Sequence, residues 1–254
     1  MNGKVYLVGS GPGGTGLLAQ HAAEVIEMAD VIFYDQLPGE EILSSLPEHA
    51  EKIDCGKYGG RHTLEQQDIE SLMVERAQKG KIIVRLKGGD PFLFGRGGEE
   101  LETVRAAGIA VEMVPGISSA LAVPASVGIP VTHRKYASQV TILTGHEDPT
   151  KPAPALDWQL LARSRGTIVI LMGVANLGNI AKALLENGKD SSTPVAIIER
   201  GLRKDRRVTT GPLSAIGKIA IQAEVKPPAV IVIGDVVRLY DPQQPDLIPP
   251  GERK

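Results

Sequence analysis

The chain has 254 residues, of which 42% are hydrophobic and 4% aromatic, and its formal net charge is −2 at pH 7. This balance argues against a broad basic surface for nucleic acid, and the few aromatic residues argue against a platform for stacked bases. The sequence has no apolar run of membrane-spanning length, its first residues are not typical of a signal peptide, and its single cysteine cannot form an internal disulfide. We therefore expect a reduced, cytoplasmic protein with neither nucleic acid nor membrane as a partner.

The first half of the chain alternates strand-like and helix-like patterns. Apolar runs predict strands at residues 5–8, 31–34, 81–86 and 110–114. Apolar residues at helical spacing from 18 to 29 predict a helix between the first two strands. Further helices are predicted at 63–77, opened by the capping box Thr63-Leu-Glu-Gln66, and at 99–107. A segment of small residues follows at 117–127.

The second half repeats this alternation after a polar stretch at 130–138 that lacks apolar periodicity. Strands are predicted at 140–143, 167–172, 195–198 and 229–233, and helices at 177–186 and 213–222. Strands that alternate with helices are typical of α/β folds. We therefore predict two α/β domains, residues 1–133 and 134–241, and a proline-rich tail, 242–254, that is disordered.

Glycine-rich turns follow several of the predicted strands. The first, Gly9-Ser-Gly-Pro-Gly-Gly14, has the spacing of a dinucleotide fingerprint, and Asp35 stands where a ribose-binding carboxylate is expected. Pro12 weakens that interpretation, because it removes a backbone donor from the turn that would hold a pyrophosphate. Further glycine turns lie at 87–98, 115–116 and 172–173. Since ligands bind beyond the carboxyl ends of strands in open α/β sheets, these loops together predict one ligand trough.

Metal and nucleophile chemistry are not indicated. The five histidines are scattered and lack the spacing of metal ligands, so no metal site is predicted. There is no Gly-x-Ser-x-Gly nucleophile motif. Cys55 has no indicated histidine partner, so we interpret it as a small half-buried residue.

Several motifs resemble those of the tetrapyrrole methylase family. The most specific is the block Arg85-Leu-Lys-Gly-Gly-Asp-Pro-Phe-Leu-Phe-Gly-Arg-Gly-Gly-Glu-Glu100. The others are Val8-Gly-Ser-Gly-Pro-Gly13, Tyr34-Asp35, Gly56-Lys57, Val114-Pro-Gly-Ile-Ser-Ser119 and Gly128-Ile-Pro-Val-Thr-His133. The resemblance extends from Lys4 to about Tyr240.

The resemblance implies an S-adenosylmethionine-dependent methyltransferase of two α/β domains, with the cofactor in a trough between them, and a homodimer. It is greatest to members that methylate uroporphyrinogen III at C2 and C7 to give precorrin-2, with S-adenosylhomocysteine as the other product. Some relatives carry a fused siroheme dehydrogenase-ferrochelatase module. This chain is too short for that module, so we expect the methylation steps alone.

The resemblance also implies roles for individual residues. Asp35 matches the family's proposed proton acceptor, and Lys57 matches its proposed proton donor. Ser118 and Ser119 stand where relatives often have Thr-Ala. The implied cofactor contacts are Pro12, Gly88, Gly89, Asp90, Leu93, Ser118, Ser119, Met172 and Gly201.

Methyl transfer from a sulfonium depends chiefly on alignment, which a trough of close-approaching backbone can supply. The substrate carries eight carboxylates, and arginines in or beside the relevant loops are candidates to bind them: Arg61, Arg96, Arg134, Arg200 and Arg203. Asp35 could instead cap the turn that follows it, and Asp90 could either bind the cofactor's amino group or cap its own loop. A later corrin-ring methylase of the precorrin-4 type, an NAD-dependent Rossmann oxidoreductase and a nucleotide-sensing module remain alternatives.

Overall fold

The computed structural model describes residues 3–58, 61–62, 64–146, 156–244 and 246–248, and for residues 57, 58, 61 and 62 it describes the backbone alone. The chain divides into two compact units: the N-terminal unit ends at Ser119 and the C-terminal unit begins at Ala120. Both contain strands and helices, so the predicted pair of α/β domains is confirmed. Among the described residues, no helix combines the length and apolar character needed to cross a membrane.

The N-terminal unit is built on a five-stranded parallel sheet of order β3-β2-β6-β1-β7. Its strands are β1 (Lys4–Gly9), β2 (Val31–Tyr34), β3 (Glu51–Asp54), β6 (Ile82–Lys87) and β7 (Ala110–Val114), and β4 (Lys57–Tyr58) pairs with β5 (Arg61–His62) outside the sheet. Its helices are α1 (Gln20–Glu27), α2 (Glu40–Ser44), α3 (Gln66–Gln78) and α4 (Gly97–Ala106), and a 3₁₀ turn covers Thr15–Leu17.

Both faces of this sheet are covered, because successive strand residues point to opposite faces. On β1, Val5 and Leu7 join a core that contains Met73 of α3 and Val104 of α4. Val8 joins a second core that includes side chains of α1 and α2. Coverage on both faces explains the continuous apolar runs at residues 5–8 of β1 and 31–34 of β2.

The C-terminal unit contains a mixed five-stranded sheet of order β11-β10-β12-β9-β8. Strands β8 and β9 are parallel, and the pairs β9–β12, β12–β10 and β10–β11 are antiparallel, so β8, β9 and β10 run in the same direction. The strands are β8 (Val140–Thr144), β9 (Thr167–Leu171), β10 (Pro194–Glu199), β11 (Arg207–Pro212) and β12 (Ala229–Ile233). The helices are α5 (Ser119–Ser126), which begins at the division between the units, α6 (Trp158–Arg163), α7 (Leu177–Glu186) and α8 (Ile216–Gln222), and a 3₁₀ turn covers Asp235–Leu239.

The predicted elements occur with small shifts at their ends, and helix 177–186 and strand 229–233 have the predicted bounds. The capping residue predicted for α3, Thr63, lies outside the described residues. The helices and strands that sequence patterns missed are α2, β3, α5, α6 and β11, together with the β4–β5 pair. Strands β3 and β11 lie at sheet edges and are rich in polar residues, so they lack the apolar run by which a strand is recognised.

The observed division of the chain precedes the predicted boundary at residues 133 and 134. Helix α5 lies in the C-terminal unit, where Val123 is so close to Gly201 that a Cβ on that glycine would lie 2.4 Å from Val123 Cγ1. Part of the tail that we expected to be disordered is also held in this unit. Asp246 forms an ion pair with Arg206 at 2.6 Å, and the Leu247 N–H donates to the Ser126 carbonyl.

Candidate functional site

The carboxyl ends of the parallel strands in the N-terminal unit gather the loops that the sequence singled out. Since β2, β6, β1 and β7 are consecutive in the sheet, the loops that follow them are neighbours at one edge. Gly11 and Gly89 exchange two backbone hydrogen bonds, of 3.1 and 2.8 Å, and the Ser10 N–H donates to the Lys87 carbonyl. The first glycine turn and the Gly88-Gly89-Asp90 loop are therefore joined directly.

At two positions of this edge, neighbouring loops approach so closely that only glycine fits. A Cβ at Gly9 would lie 2.5 Å from the Gly116 nitrogen, and a Cβ at Gly116 would lie 2.1 Å from the Gly89 carbonyl oxygen. Real Cβ atoms do not approach backbone so closely, so any side chain here would force the loops apart. Gly9 and Gly116 therefore allow three loops to come together.

The loop after β6 contains two further glycines with different surroundings. A Cβ at Gly88 would lie 2.3 Å from Leu37 Cβ, so Gly88 permits the loop after β2 to approach. Gly89 has φ +71°, which favours glycine. A Cβ there would lie 3.7 Å from the Ser119 nitrogen and 4.0 Å from Ser118 Cα, so the predicted cofactor residues of these two loops are neighbours.

Asp90 uses both carboxylate oxygens on backbone donors. Its Oδ1 accepts from the Phe92 N–H at 2.9 Å, and its Oδ2 accepts from the Gly116 N–H at 3.2 Å. These bonds show the loop-capping role that the sequence left open. Leu93 and Pro12 are both partly exposed at the same edge, so their side chains are accessible from it.

Asp35 immediately follows β2 and combines a turn contact with an ion pair. Its Oδ1 accepts from the Leu37 N–H at 2.9 Å, which fixes the side chain over the turn. Its Oδ2 lies 3.8 Å from Nη2 of Arg85, a buried residue of the neighbouring strand β6. The carboxylate remains about one-fifth exposed, at 22%, so it is held in place and still reachable from outside.

Beside Asp35 lies a buried charge cluster that we define as Arg85, Lys87 and Glu100. The Lys87 ammonium donates to both oxygens of Glu100, at 2.9 and 3.0 Å, and Arg85 Nε donates to Oε1 at 3.0 Å. All three residues are buried. The motif at residues 85–100 contains all three residues without indicating a role for them, although two cations beside an apolar run are an unusual pattern for a buried strand.

Burial and the attraction between opposite charges shift the pKa values of Lys87 and Glu100 in opposite directions. Burial, reinforced by the neighbouring Arg85, lowers the pKa of Lys87 although Glu100 opposes the shift. Burial alone would raise the pKa of Glu100, but the charges of Lys87 and Arg85 lower it overall. Because the pKa of Glu100 is lowered on balance, the folded protein favours the ionised form of this carboxylate.

Cys55 follows β3 and is buried in the core that α3 and α4 cover. Burial raises the pKa of its thiol to about 11, so the thiol stays protonated at neutral pH. This agrees with the expectation that Cys55 is not a nucleophile.

The remaining predicted site residues of the N-terminal unit are Arg96, Lys57 and Arg61. Arg96 has φ 59° at the N-terminus of α4, and its exposed guanidinium pairs with Glu99, with Nε donating to both carboxylate oxygens at 3.1 Å. Lys57 and Arg61 lie on β4 and β5, in the antiparallel pairing Lys57↔His62 and Tyr58↔Arg61. Their side chains are outside the described part of the structure.

The C-terminal unit places its own candidates at one edge of its sheet. Because β9 and β10 run in the same direction, Met172 and Gly201, which follow them, lie at the same edge. Met172 has φ 55° and is 52% exposed. The Arg200 guanidinium pairs with Asp205 at 2.6 Å, while Arg203 and Arg134 are exposed. Within the residues that the structure describes, no cluster of His, Cys, Asp and Glu could hold a metal ion.

Comparison with known proteins gives consistent matches over nearly the whole chain. The family model described as Tetrapyrrole (Corrin/Porphyrin) Methylases matches residues 4–217. An S-adenosyl-L-methionine-dependent uroporphyrinogen III methyltransferase of Methanosarcina barkeri is 58% identical over 239 residues, which cover 94% of each chain. A uroporphyrinogen-III C-methyltransferase of Methanocaldococcus jannaschii is 48% identical over 96% of this chain and 100% of its own.

A solved structure also matches this chain over most of its length. The uroporphyrin-III C-methyltransferase of Thermus thermophilus, crystallised in complex with S-adenosylhomocysteine, matches with a TM-score of 0.81 and 37% identity. The match covers 94% of this chain and 100% of that one.

Proposed function

Because the chain belongs to the tetrapyrrole methylase family, we propose that it methylates uroporphyrinogen III at C2 and C7 to give precorrin-2. S-adenosylmethionine is the methyl donor and S-adenosylhomocysteine the second product. The observation that carries this proposal is the 58% identity, over 94% of both chains, to a relative named for this substrate and this donor.

The strand-end loops of the N-terminal unit fit a nucleoside sulfonium. The edge combines uncharged glycine backbone, held in place by the close approach of Gly9 and Gly116, with two carboxylates, Asp35 and Asp90. A carboxylate near a sulfonium favours its binding, and backbone carbonyls can orient a methyl group through weak C–H···O contacts. The residues proposed to hold the cofactor are Pro12, Gly88, Gly89, Asp90, Leu93, Ser118, Ser119, Met172 and Gly201.

When bound, the cofactor supplies an electrophilic methyl group with a good leaving group. The residues therefore have to align the attacked pyrrole carbon and manage the charge that the substrate ring acquires. Attack leaves the ring as an iminium-like cation that must lose a proton. Asp35 is proposed to stabilise this cation and accept the proton, since its carboxylate is held by the Leu37 N–H and remains partly exposed. Lys57 is proposed as the proton donor.

Binding of the octacarboxylate substrate requires cations that can move from their present partners. Arg96 pairs with the exposed acid Glu99, and exposed ion pairs contribute little, so it can exchange this partner for a substrate carboxylate at small cost. Arg200 pairs with the exposed Asp205 and also lies 3.7 Å from the buried Glu199, so it is proposed as a contact that keeps one of its present partners. Arg61, Arg134 and Arg203 are the other proposed contacts.

We also propose that the enzyme is a cytoplasmic homodimer, without nucleic acid as a partner. The near-neutral charge supports the absence of nucleic acid and the single cysteine supports a reducing compartment, whereas the homodimer is proposed from the family resemblance. Sedimentation equilibrium of the purified protein tests the dimer, and a monomer at micromolar concentration would contradict it.

The decisive experiment uses enzymatically made uroporphyrinogen III and isotopically labelled S-adenosylmethionine, with the products analysed by mass spectrometry. Two added methyl groups are expected. Failure to methylate uroporphyrinogen while S-adenosylhomocysteine still binds would favour a later corrin intermediate as substrate. Calorimetric titration distinguishes the cofactor: binding of NAD(H) without binding of S-adenosylhomocysteine would end the proposal.

A further inference from the structure

Two cations follow each other on one face of the central strand β6. Residues two apart on a strand share a face, so Arg85 and Lys87 continue the face on which Ile83 joins the core under α3 and α4. Towards the carboxyl end of the strand, this face therefore changes from apolar to positively charged. The charged end lies directly below the loop Gly88-Gly89-Asp90.

Glu100 meets both cations from the first turn of α4, and a hydrogen-bond network holds it there. Gln66 of α3 donates to Glu100 Oε1 at 3.1 Å and to Glu70 at 3.0 Å. Thr103 of α4 donates to the second oxygen of Glu70 at 2.8 Å. The Glu100 carboxylate is thus fixed between two helices and has little freedom to follow one cation rather than the other.

The cluster holds two positive charges against one negative charge. Buried charges are costly unless paired, so the excess positive charge needs a further carboxylate. Among the described side chains that form ion pairs with the cluster, Asp35 is the other acid: its Oδ2 lies 3.8 Å from Arg85 Nη2. Arg85 consequently bridges Glu100 and Asp35, while Lys87 neutralises the remaining charge of Glu100.

We propose that Lys87 and Glu100 are positioning residues for the methylation: by sharing Glu100 with Lys87, Arg85 stays available to hold the Asp35 carboxylate in place. The proposal rests on the proposed function, in which Asp35 contacts the reacting ring. It assigns to this buried pair an effect on turnover, transmitted through Arg85, rather than a role in cofactor binding.

Removing Lys87 should draw Arg85 away from Asp35. In Lys87→Met, Arg85 is the one cationic partner of Glu100 among the described side chains, and the guanidinium is expected to move towards it. In the double variant Lys87→Met/Glu100→Gln, the Glu100 charge is gone and Asp35 is left as the carboxylate partner of Arg85. The double variant loses more buried bonds than the single variant, yet the proposal predicts that it is the more active of the two.

The experiment measures kcat, the KM for S-adenosylmethionine and the affinity for S-adenosylhomocysteine in the wild type and both variants, with crystal structures of all three. For Lys87→Met we expect kcat to fall about tenfold or more, as for a small displacement of a catalytic group. The KM and the S-adenosylhomocysteine affinity should stay within about twofold, and the Arg85–Asp35 separation should lengthen. For the double variant we expect both kcat and the separation to return towards the wild-type values.

Lys189→Met is the matched control. Lys189 is partly buried, donates to the Ser164 carbonyl at 2.9 Å and has a pKa that burial lowers, but it belongs to the C-terminal unit, whereas Asp35 belongs to the N-terminal unit. Its substitution should leave kcat unchanged. If Lys87→Met does not fold, Lys87→Gln provides an uncharged donor to Glu100 and carries the same prediction.

Two results would overturn the inference: an unchanged kcat in Lys87→Met, or a folded double variant whose kcat is no higher than that of the single variant. The wild-type assay separates these results from a failure of the proposed function. A wild-type protein that does not methylate uroporphyrinogen III refutes the proposed substrate, whereas the Arg85–Asp35 separation in the crystals still tests the coupling to Lys87.

Discussion

The Asp35 carboxylate lies 3.8 Å from the Arg85 guanidinium, at the junction between a buried charge cluster and an edge of exposed loops. Its other oxygen accepts a backbone N–H, so the side chain is held by two elements. A group fixed in this way and still partly exposed can meet a cation that forms on a bound ring without reorganising first.

Asp35→Asn should therefore lower turnover without weakening cofactor binding. Asparagine can still accept the Leu37 N–H but cannot accept a proton, so we expect kcat to fall about 10²–10⁴-fold, the usual contribution of a general base. Affinity for S-adenosylhomocysteine should stay within about twofold. Steady-state kinetics and calorimetry measure the two quantities.

The matched control for this change is Asp190→Asn. Asp190 makes the same kind of turn, accepting from the Ser192 N–H at 2.8 Å, but it lies on the exposed surface of the C-terminal unit. Its substitution should leave kcat unchanged. If Asp35→Asn abolishes S-adenosylhomocysteine binding instead, the role assigned to Asp35 is wrong.

The contact between Gly116 and Gly89 predicts a cost in stability. In Gly116→Ala the new Cβ would lie 2.1 Å from the Gly89 oxygen, so backbone must move. We expect a loss of at least about 1–3 kcal/mol in the free energy of unfolding, as for other overpacked sites. S-adenosylhomocysteine should also bind more weakly, since the displaced loop carries Gly88, Gly89 and Asp90.

Gly178→Ala is the control for that substitution. Gly178 lies in α7, and a Cβ there would meet nothing within 4 Å. Alanine in a helix should stabilise by up to about 1 kcal/mol relative to glycine. Urea unfolding of both variants measures the difference, and equal stabilities would contradict the close packing of the strand-end loops.

Sequence patterns predicted the strands and helices whose apolar residues enter the cores, and they placed Pro12, Asp35 and Gly89 at strand ends. They failed where the signal is not local. Strand β11 is recognised by its pairing with β10, since its own residues are mostly polar. Lys87 could be recognised as unusual, but its partner lies 13 residues away on α4, where Glu99 and Glu102 were equally available in sequence. Only the packing of α4 on β6 selects Glu100.

His21 should make stability depend on pH near neutrality. Its ring nitrogens lie 2.9 Å from Glu112 and 3.1 Å from Glu24, and these carboxylates raise its pKa above the ordinary value of 6.5. The stabilisation is therefore complete below 6.5 and is lost as the pH rises through the folded-state pKa. An NMR titration of the His21 ring should give this raised pKa. His21→Gln should remove part of the decline in stability as the pH rises above 6.5, and an unchanged decline would contradict the assignment.

Glu199 should stabilise the turn after β10 that carries Arg200 and Gly201. Its fully buried carboxylate accepts two bonds from Arg207, at 2.6 and 2.8 Å, and one from the Lys226 N–H at 2.9 Å. Glu199→Gln places an amide N–H₂ group against other hydrogen-bond donors. We therefore expect the free energy of unfolding to fall by about 1–3 kcal/mol. The control Glu186→Gln removes an exposed pair with Lys182 and should change stability by less than about 0.5 kcal/mol. Urea unfolding compares the two, and equal losses would show that the ion pair of the buried Glu199 carboxylate contributes no more than a fully exposed pair.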